Sequence, residues 1–181
     1  MAEVMDILRE EHSNMTLLLD FLEKQMDAFA HAEEPDYVLI KDVIDYTLAY
    51  PDLYHHPKED LVYEKLLARD PGAVDLVGDL EAEHARLAEL SRHFNEVIEN
   101  VLAESAVSRE RVVKVAREFI DGTRAHMEME ESKFFPAALD SLTEADWTAI
   151  LDAFEHRDDP LFGAAVTESF KNLSLEIRST M

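Results

Sequence analysis

The apolar residues of this chain recur at intervals of three and four positions, a spacing that predicts helices along most of its length. The first run predicts a helix over residues 3–30. Its apolar side is formed by Leu8, Met15, Leu18, Leu19 and Leu22. A second helix is predicted to begin with Pro35 just inside its start and to reach Leu67, with Pro51 kinking or restarting it. No segment alternates between apolar and polar residues as a half-buried strand does.

Capping signals divide the second half of the chain. Asp70 before Pro71 predicts the start of a third helix, which should end near Glu104. Ser108 is expected to cap a fourth helix, which Pro136 bends or ends. These boundaries predict four long antiparallel helices in total.

Two shorter helices are predicted after residue 140. Ser141 and Glu144 have the spacing of a capping box that opens the first, and Asp159 before Pro160 precedes the second. Both carry large apolar side chains on one side: Trp147, Ile150, Phe154, Phe162 and Phe170. This segment is therefore expected to pack on the long helices or on a second subunit, which makes a homodimer one expectation.

Composition favours the same architecture. The chain has 181 residues, enough for one domain with a sizeable core, and contains only 4 Gly and 6 Pro. Ala, Leu and Glu are plentiful, which favours helix. The predicted fold is all-α: an up-down-up-down four-helix bundle over residues 1–140, followed by a short two-helix C-terminal extension over residues 141–181.

Charge and cysteine content narrow the function classes. The net charge of -23 repels phosphate backbones and anionic lipids, so neither nucleic acid nor a membrane is an expected partner. The absence of Cys excludes disulfides and thiolate iron–sulfur ligation. The first residues lack a basic region and a long apolar run, so no signal peptide is expected. Together these features predict a cytoplasmic protein.

The chain contains an internal repeat that carries its candidate chemistry. The segment Leu8-Arg-Glu-Glu-His12 matches Leu80-Glu-Ala-Glu-His84, 72 positions later. The segment that begins His55-His56 and contains Glu59 matches His126-Met-Glu-Met-Glu130, 71 positions later. Each half therefore has one isolated His, followed about 43 residues later by His-x-x-x-Glu.

This spacing predicts a site for two metal ions. His and Glu four residues apart on a helix lie about 40° apart around its axis, so both point the same way. The predicted metal ligands are His12, His55, Glu59, His84, His126 and Glu130. Each metal would receive two imidazoles, and the two carboxylates could bridge the pair. Imidazole with carboxylate suits iron, and manganese or zinc could also bind.

The two neighbouring His residues leave the register of one pair open. Adjacent residues on an α-helix differ by about 100°, so both rarely face one point. The repeat aligns His55 with His126, which favours His55 and Glu59 as the ligand pair and leaves His56 outside it. The alternative pairs His56 with Asp60, which has the same spacing.

Other polar residues have weaker claims on the metal site. Three His residues without a repeat partner are predicted not to bind metal: His31, His93 and His156. Four acidic residues next to the predicted ligands could accept hydrogen bonds from their imidazoles, or could simply be solvated: Glu11, Asp60, Glu83 and Glu131. Three tyrosines at helical spacing predict core packing: Tyr46, Tyr50 and Tyr54.

These motifs resemble the hemerythrin-like, HHE cation-binding domains of bacteria over about residues 3–140. The matching segments are Glu11-His12, Tyr54-His55-His56-Pro57-Lys58-Glu59-Asp60, Glu83-His84, and His126-x-x-x-Glu130-Glu131 followed by Phe134-Phe135-Pro136. The resemblance implies a four-helix bundle with a non-haem di-iron centre. It also implies a ligand role for the six predicted metal ligands.

One departure from the family pattern bears on function. Oxygen-carrying hemerythrins have two His residues four apart on the third helix, whereas Leu80 and Ala88 lie four positions from His84 here. The resemblance therefore favours a protein that binds oxygen, nitric oxide or peroxide in sensing, stress protection or iron handling. The alternative is a di-iron oxidoreductase that consumes peroxide or oxygen. A third reading is a helical interaction protein without metal.

Overall fold

The computed structural model describes residues 2–31, 33–153 and 158–180. Every regular element in these ranges is a helix, which confirms the all-α prediction. In chain order the helices are α1 (Ala2–Ala30), α2 (Tyr37–Ala49), α3 (His56–Arg69), α4 (Val74–Val77), α5 (Leu80–Leu102), α6 (Arg109–Met129), α7 (Phe135–Ser141), α8 (Glu144–Ala153) and α9 (Lys171–Thr180). Short 3₁₀ turns cover Pro71–Ala73 and Glu168–Phe170.

Two π-helical turns lie where proline was expected to kink or end a helix. The first, Pro51–His55, joins α2 to α3, and the second, Glu130–Phe134, joins α6 to α7. In each turn a backbone N–H bonds to the carbonyl five residues earlier, from His56 to Pro51 and from Phe135 to Glu130. Pro136 lies in the first turn of α7, directly after the second π turn, so α6 ends before it at Met129 and the chain continues as α7.

Side-chain caps correct two of the predicted helix boundaries. The carboxylate of Asp36 accepts from the backbone N–H groups of residues 38 and 39, so α2 begins after Asp36, and Pro35 lies before the cap instead of inside the helix. The predicted third helix is interrupted at Gly78, whose φ of 82° is in the left-handed region. Asp79 then caps α5 by accepting from the N–H of residue 82.

The C-terminal boundaries also differ in part. Ser108 caps α6 as predicted. The box that opens α8 is formed by Thr143 and Asp146, whose side chains bond reciprocally to each other's backbone N–H, and not by Ser141 and Glu144. The last helix begins at Lys171, because Asp159 instead caps a turn over residues 161 and 162.

Two apolar cores lie on either side of the polar centre. The α9-side core contains the C-terminal half of α1, α2, the C-terminal half of α5 and the N-terminal half of α6, together with Phe170 and Leu173. The α8-side core contains the start of α1, α3, α7 and Trp147 and Ile150 of α8. The extension therefore packs on the long helices of its own chain within the described residues. Phe154 lies outside those residues.

No helix in the described part of the chain combines the length and the apolar character needed to cross a bilayer.

Candidate metal centre

The six side chains selected by the repeat come together between the two cores. All six are buried, and Glu59 and Glu130 are completely so. Oε1 of Glu59 lies 3.4 Å from Nε2 of His12 and 3.3 Å from Nε2 of His55. Its Oε2 lies 3.5 Å from Nε2 of His84. One carboxylate thus faces imidazoles from three different helical segments.

The second carboxylate has a corresponding position. Oε1 of Glu130 lies 3.0 Å from Nε2 of His126 and 3.6 Å from Nε2 of His84. Its Oε2 lies 3.3 Å from Nε2 of His12. Both carboxylates therefore lie between imidazoles of the two repeat halves, which is the placement that bridging ligands require.

His56 joins this cluster although the sequence analysis left it out. It is 9% exposed, and its ring stacks on that of His84 with centroids 4.3 Å apart. The donor atoms form two compact groups, each within 4.8 Å: His12, His55 and Glu59, and His56, Glu59, His84 and His126. The π turn at Pro51–His55 accounts for this, because the wider turn changes the direction of successive side chains, and Pro51 and Pro57 were its signals in the sequence.

The inner atoms of the cluster fit a cation. Seven buried inner atoms have no hydrogen-bond partner in the described part of the chain: Nε2 of His12, His84 and His126, and both carboxylate oxygens of Glu59 and Glu130. A buried polar atom without a partner costs about 1–3 kcal/mol. Seven such atoms around one volume would be a large cost without a cation between them, and imidazole with carboxylate is a donor set for iron, manganese or zinc.

In the metal-free protein, protonated imidazoles balance the charge of the two buried carboxylates. Burial by itself raises the pKa of Glu59, but the imidazoles of His55, His12 and His84 outweigh it and hold that pKa well below its usual range. Burial lowers the pKa of His12, and the facing carboxylates of Glu130 and Glu59 reverse this and raise it to about 10. The pKa of His84 is raised to about 11 against the effect of burial, by Asp60 and the same two carboxylates.

The pKa values of two further groups complete this picture. Burial and the neighbouring charge of Glu59 raise the pKa of Glu130, but three imidazoles overcome both and lower it to about 2. Burial lowers the pKa of His56, which has only Asp52, at 3.4 Å, as an acidic neighbour on its Nδ1. The centre therefore contains ionised carboxylates and at least two imidazolium groups when no metal is bound.

Carboxylates on the outer side hold three of the imidazoles. Nδ1–H of His12 donates to Glu131 over 3.0 Å, and Nδ1–H of His55 donates to Glu11 over 2.7 Å. A third such bond joins His84 to Asp60 over 2.9 Å. Each bond keeps a proton on Nδ1 and fixes the ring, so that Nε2 faces the centre and can bind a metal once it has lost any proton of its own. Glu83 does not take part, because it bonds to Arg86.

Glu11 belongs to a buried network that the sequence did not predict. It accepts from the hydroxyl of Tyr50 over 3.0 Å and from the ammonium of Lys58 in a buried ion pair. Tyr50 stacks on Tyr46, whose hydroxyl donates to Asp159 over 2.7 Å. The tyrosines thus pack in the core as expected and also link the centre to the C-terminal segment.

Two grooves open onto the centre from opposite sides of α6. One, of about 490 Å³, lies between α1 and α6 and is lined by His12, Met127 and Arg9. The other, of about 370 Å³, lies between the start of α5 and α6 and is lined by Glu83 and His126. Each groove thus reaches one of the predicted ligands, His12 in the first and His126 in the second.

The remaining His residues lie away from the centre or outside the description. His31 is exposed and bonds to the backbone carbonyl of Asp27 over 2.8 Å. The His93 side chain is 43% exposed and faces Glu96 at 3.7 Å. His156 lies outside the described residues. His31 and His93 therefore take no part in the buried cluster, in line with their predicted status.

Comparison with known proteins gives one match. A family model described as the hemerythrin HHE cation binding domain matches residues 3–138. No curated protein and no solved structure matches the chain. The matched range extends from α1 to α7 and includes every residue of the buried cluster.

Proposed function

Since this chain belongs to the hemerythrin HHE cation-binding domain family, we propose that it binds two iron ions at the buried His/Glu cluster and presents them to a small ligand. The expected ligand is oxygen, nitric oxide or peroxide, and the expected role is sensing, stress protection or iron handling. The observation that carries the proposal is the convergence of seven buried ligand atoms without hydrogen-bond partners. A helical interaction protein without metal would have no reason to retain them.

The proposed ligand set extends the predicted six residues by His56. His12 and His55 would hold one ion, and His56, His84 and His126 the other, in agreement with the two compact donor groups. Glu59 and Glu130 would serve both ions, as their short distances to imidazoles of both groups support: Glu59 to His12 and His84, and Glu130 to His12 and His126. The third long helix has Leu80 and Ala88, and no second His, four positions from His84. His56, from the second long helical segment, would supply an imidazole in place of that second His.

Two iron ions would supply a redox-active pair with coordination positions open to a small ligand. The chain's own residues would hold that pair away from bulk water, since the cluster lies between two apolar cores. Glu131, Glu11 and Asp60 would orient three of the imidazoles through their Nδ1–H groups. The groove beside His12 would admit the small ligand.

We further propose that the long helical segments run up-down-up-down. The packing of α1 on α6, of α6 on α5 and of α5 on α2 supports this topology. A homodimer and a cytoplasmic location remain predictions from the sequence.

Elemental analysis of iron-reconstituted, untagged protein tests the proposal. We expect two iron ions per chain in the wild type and in His93→Ala, and a strong loss in Glu59→Ala and Glu130→Ala, because each carboxylate serves both ions. A wild-type content of clearly one or no iron would contradict the proposal. The two glutamate variants should be compared with the wild type by circular dichroism, so that loss of metal is separated from loss of fold.

Optical spectra then separate a binding protein from an enzyme. After anaerobic reduction, a stable spectral change at one equivalent of oxygen or nitric oxide would support ligand binding. The alternative is a peroxide- or oxygen-consuming enzyme, to which the open groove beside His12 would also give access. Continued consumption of peroxide beyond the first equivalents would favour that alternative.

A further inference from the structure

The internal repeat is broken at one contact of the metal centre. Glu11, the residue before His12, accepts a hydrogen bond from Nδ1–H of His55 over 2.7 Å. The repeat pairs Glu11 with Glu83 and His55 with His126, so the second half should contain a matching bond. Instead, Glu83 accepts from Nε and Nη2 of Arg86 over 3.1 and 3.0 Å.

His126 is left without a carboxylate on its outer nitrogen. Its Nε2 faces Glu130 at 3.0 Å, and its Nδ1 is buried with no hydrogen-bond partner in the described ranges. Among the four imidazoles that the repeat matches, His12, His55 and His84 each donate Nδ1–H to a carboxylate. His126 alone among these four does not.

Three substitutions between the repeat halves account for the difference. In the first half, Lys58 and Tyr50 donate to Glu11 and hold it in the interior. Their repeat partners are Met129 and Asp121. Neither the thioether of Met129 nor the ionised carboxylate of Asp121 can donate a hydrogen bond. The third change adds a competing donor. Arg86 occupies the position of Asn14 and binds the Glu83 carboxylate on the outer side of the helix.

The groove between α5 and α6 contains the parts of this altered contact. Glu83, Arg86 and His126 all line it. Gly122, one turn before His126, lets α5 pack closely here: a Cβ at this position would lie 2.9 Å from Cδ1 of Leu90, which is too close, and at an ordinary contact distance of 3.6 Å from Nη1 of Arg86. The Glu83 side chain is 44% exposed, so its carboxylate is free to turn within the groove once the arginine is removed.

We propose that Arg86 is a positioning residue that withholds Glu83 from His126 and so lowers the affinity of the metal position served by His126. An imidazole that donates to a carboxylate is a more basic ligand and is held in a fixed orientation. Loss of such an outer bond typically lowers metal affinity 10–100-fold. This inference rests on the proposed two-metal function.

The test is a zinc titration of the metal-free full chain by calorimetry, with zinc as a redox-inert probe. Arg86→Asn restores the residue that the repeat has at this position and should strengthen one of the two zinc sites about tenfold, at the lower end of the outer-bond effect. Glu83→Gln should bind zinc as the wild type does, because Glu83 of the wild type bonds to Arg86 and not to His126. The double variant Arg86→Asn with Glu83→Gln should return to the wild-type value.

A matched control is available on the same helix. Arg92 forms the same i,i+3 ion pair with Glu89 at 3.0 Å, away from the centre, so Arg92→Asn should leave both zinc affinities unchanged. The inference would be overturned if Arg92→Asn raised zinc affinity as much as Arg86→Asn does. It would also be overturned if the higher affinity of Arg86→Asn persisted in the double variant.

A spectroscopic measurement checks the contact itself. In the metal-free Arg86→Asn protein, ¹⁵N NMR of His126 should report a protonated, hydrogen-bonded Nδ1 that is absent from Glu83→Gln. An unchanged His126 spectrum would overturn the inference even if affinity changed. Two equivalent zinc ions in every variant would overturn it while the proposed function stands, whereas failure of the wild type to bind two zinc ions would overturn both.

Discussion

Metal loading of this centre should release protons well above the pH at which free histidine titrates. A metal can bind only the neutral imidazole, so each protonated ligand must lose its proton first. The raised pKa values of His12, about 10, and His84, about 11, mean that both are fully protonated at pH 7.5 in the metal-free protein. The raised pKa of His55 adds to this release. We therefore expect at least two protons to leave per chain on full loading.

The magnitude separates this expectation from that of ordinary imidazoles. With an unperturbed pKa of about 6.5, each imidazole would be only about one-tenth protonated at pH 7.5, so five of them would release about half a proton in total. With the shifts above, the logarithm of the overall binding constant should rise by about two per pH unit between pH 7 and 9, one for each displaced proton.

Calorimetric zinc titrations in buffers with different ionisation enthalpies measure the released protons directly. His12→Gln should lower the number by about one, because it removes one imidazolium group. His93→Gln should leave the number unchanged, since this side chain is exposed and lies away from the centre. A release of less than one proton at pH 7.5 in the wild type would refute the reasoning, because it would show that His12 and His84 are neutral before metal arrives.

Three further expectations follow from the same contacts. In thermal melts, the metal-free protein should become less stable as pH rises from about 6.5 to about 10 and 11. The raised folded-state pKa values of His12 and His84 contribute their full stabilisation only below the unfolded-state pKa of about 6.5. A melting temperature that stays constant from pH 7 to 10 would contradict this. Lys58→Met should lower the free energy of unfolding in urea by about 1.5–3 kcal/mol, because it removes a charged donor from the buried carboxylate of Glu11, which keeps Tyr50 and His55 as donors, whereas Lys114→Met, from an exposed pair, should change it by less than about 1 kcal/mol. His56→Ala should lower iron content as His55→Ala does, and full occupancy in the His56 variant would return that residue to a surface role.

The fold class and most of the candidate metal ligands could be predicted from the sequence alone. The helical spacing of apolar residues predicted an all-α protein because burial of one side of each helix is a local property of the sequence. The repeat selected six residues that the structure brings into one buried cluster, since i,i+4 geometry fixes the direction of His126 relative to Glu130 within a single turn. Single boundaries were less certain, as the interruption at Gly78 shows, because short-range caps compete there.

What only the tertiary structure decided is the direction and partner of each side chain around that cluster. His56 faces the centre because the helix widens into a π turn before it, which a fixed 100° step per residue does not anticipate. Glu11 accepts from His55 across 44 positions, whereas its repeat partner Glu83 turns to Arg86 three residues away. Both acids have the same immediate setting before a histidine. The choice between a distant imidazole and a near guanidinium depends on donors that packing brings alongside, so the sequence pattern alone could not assign it.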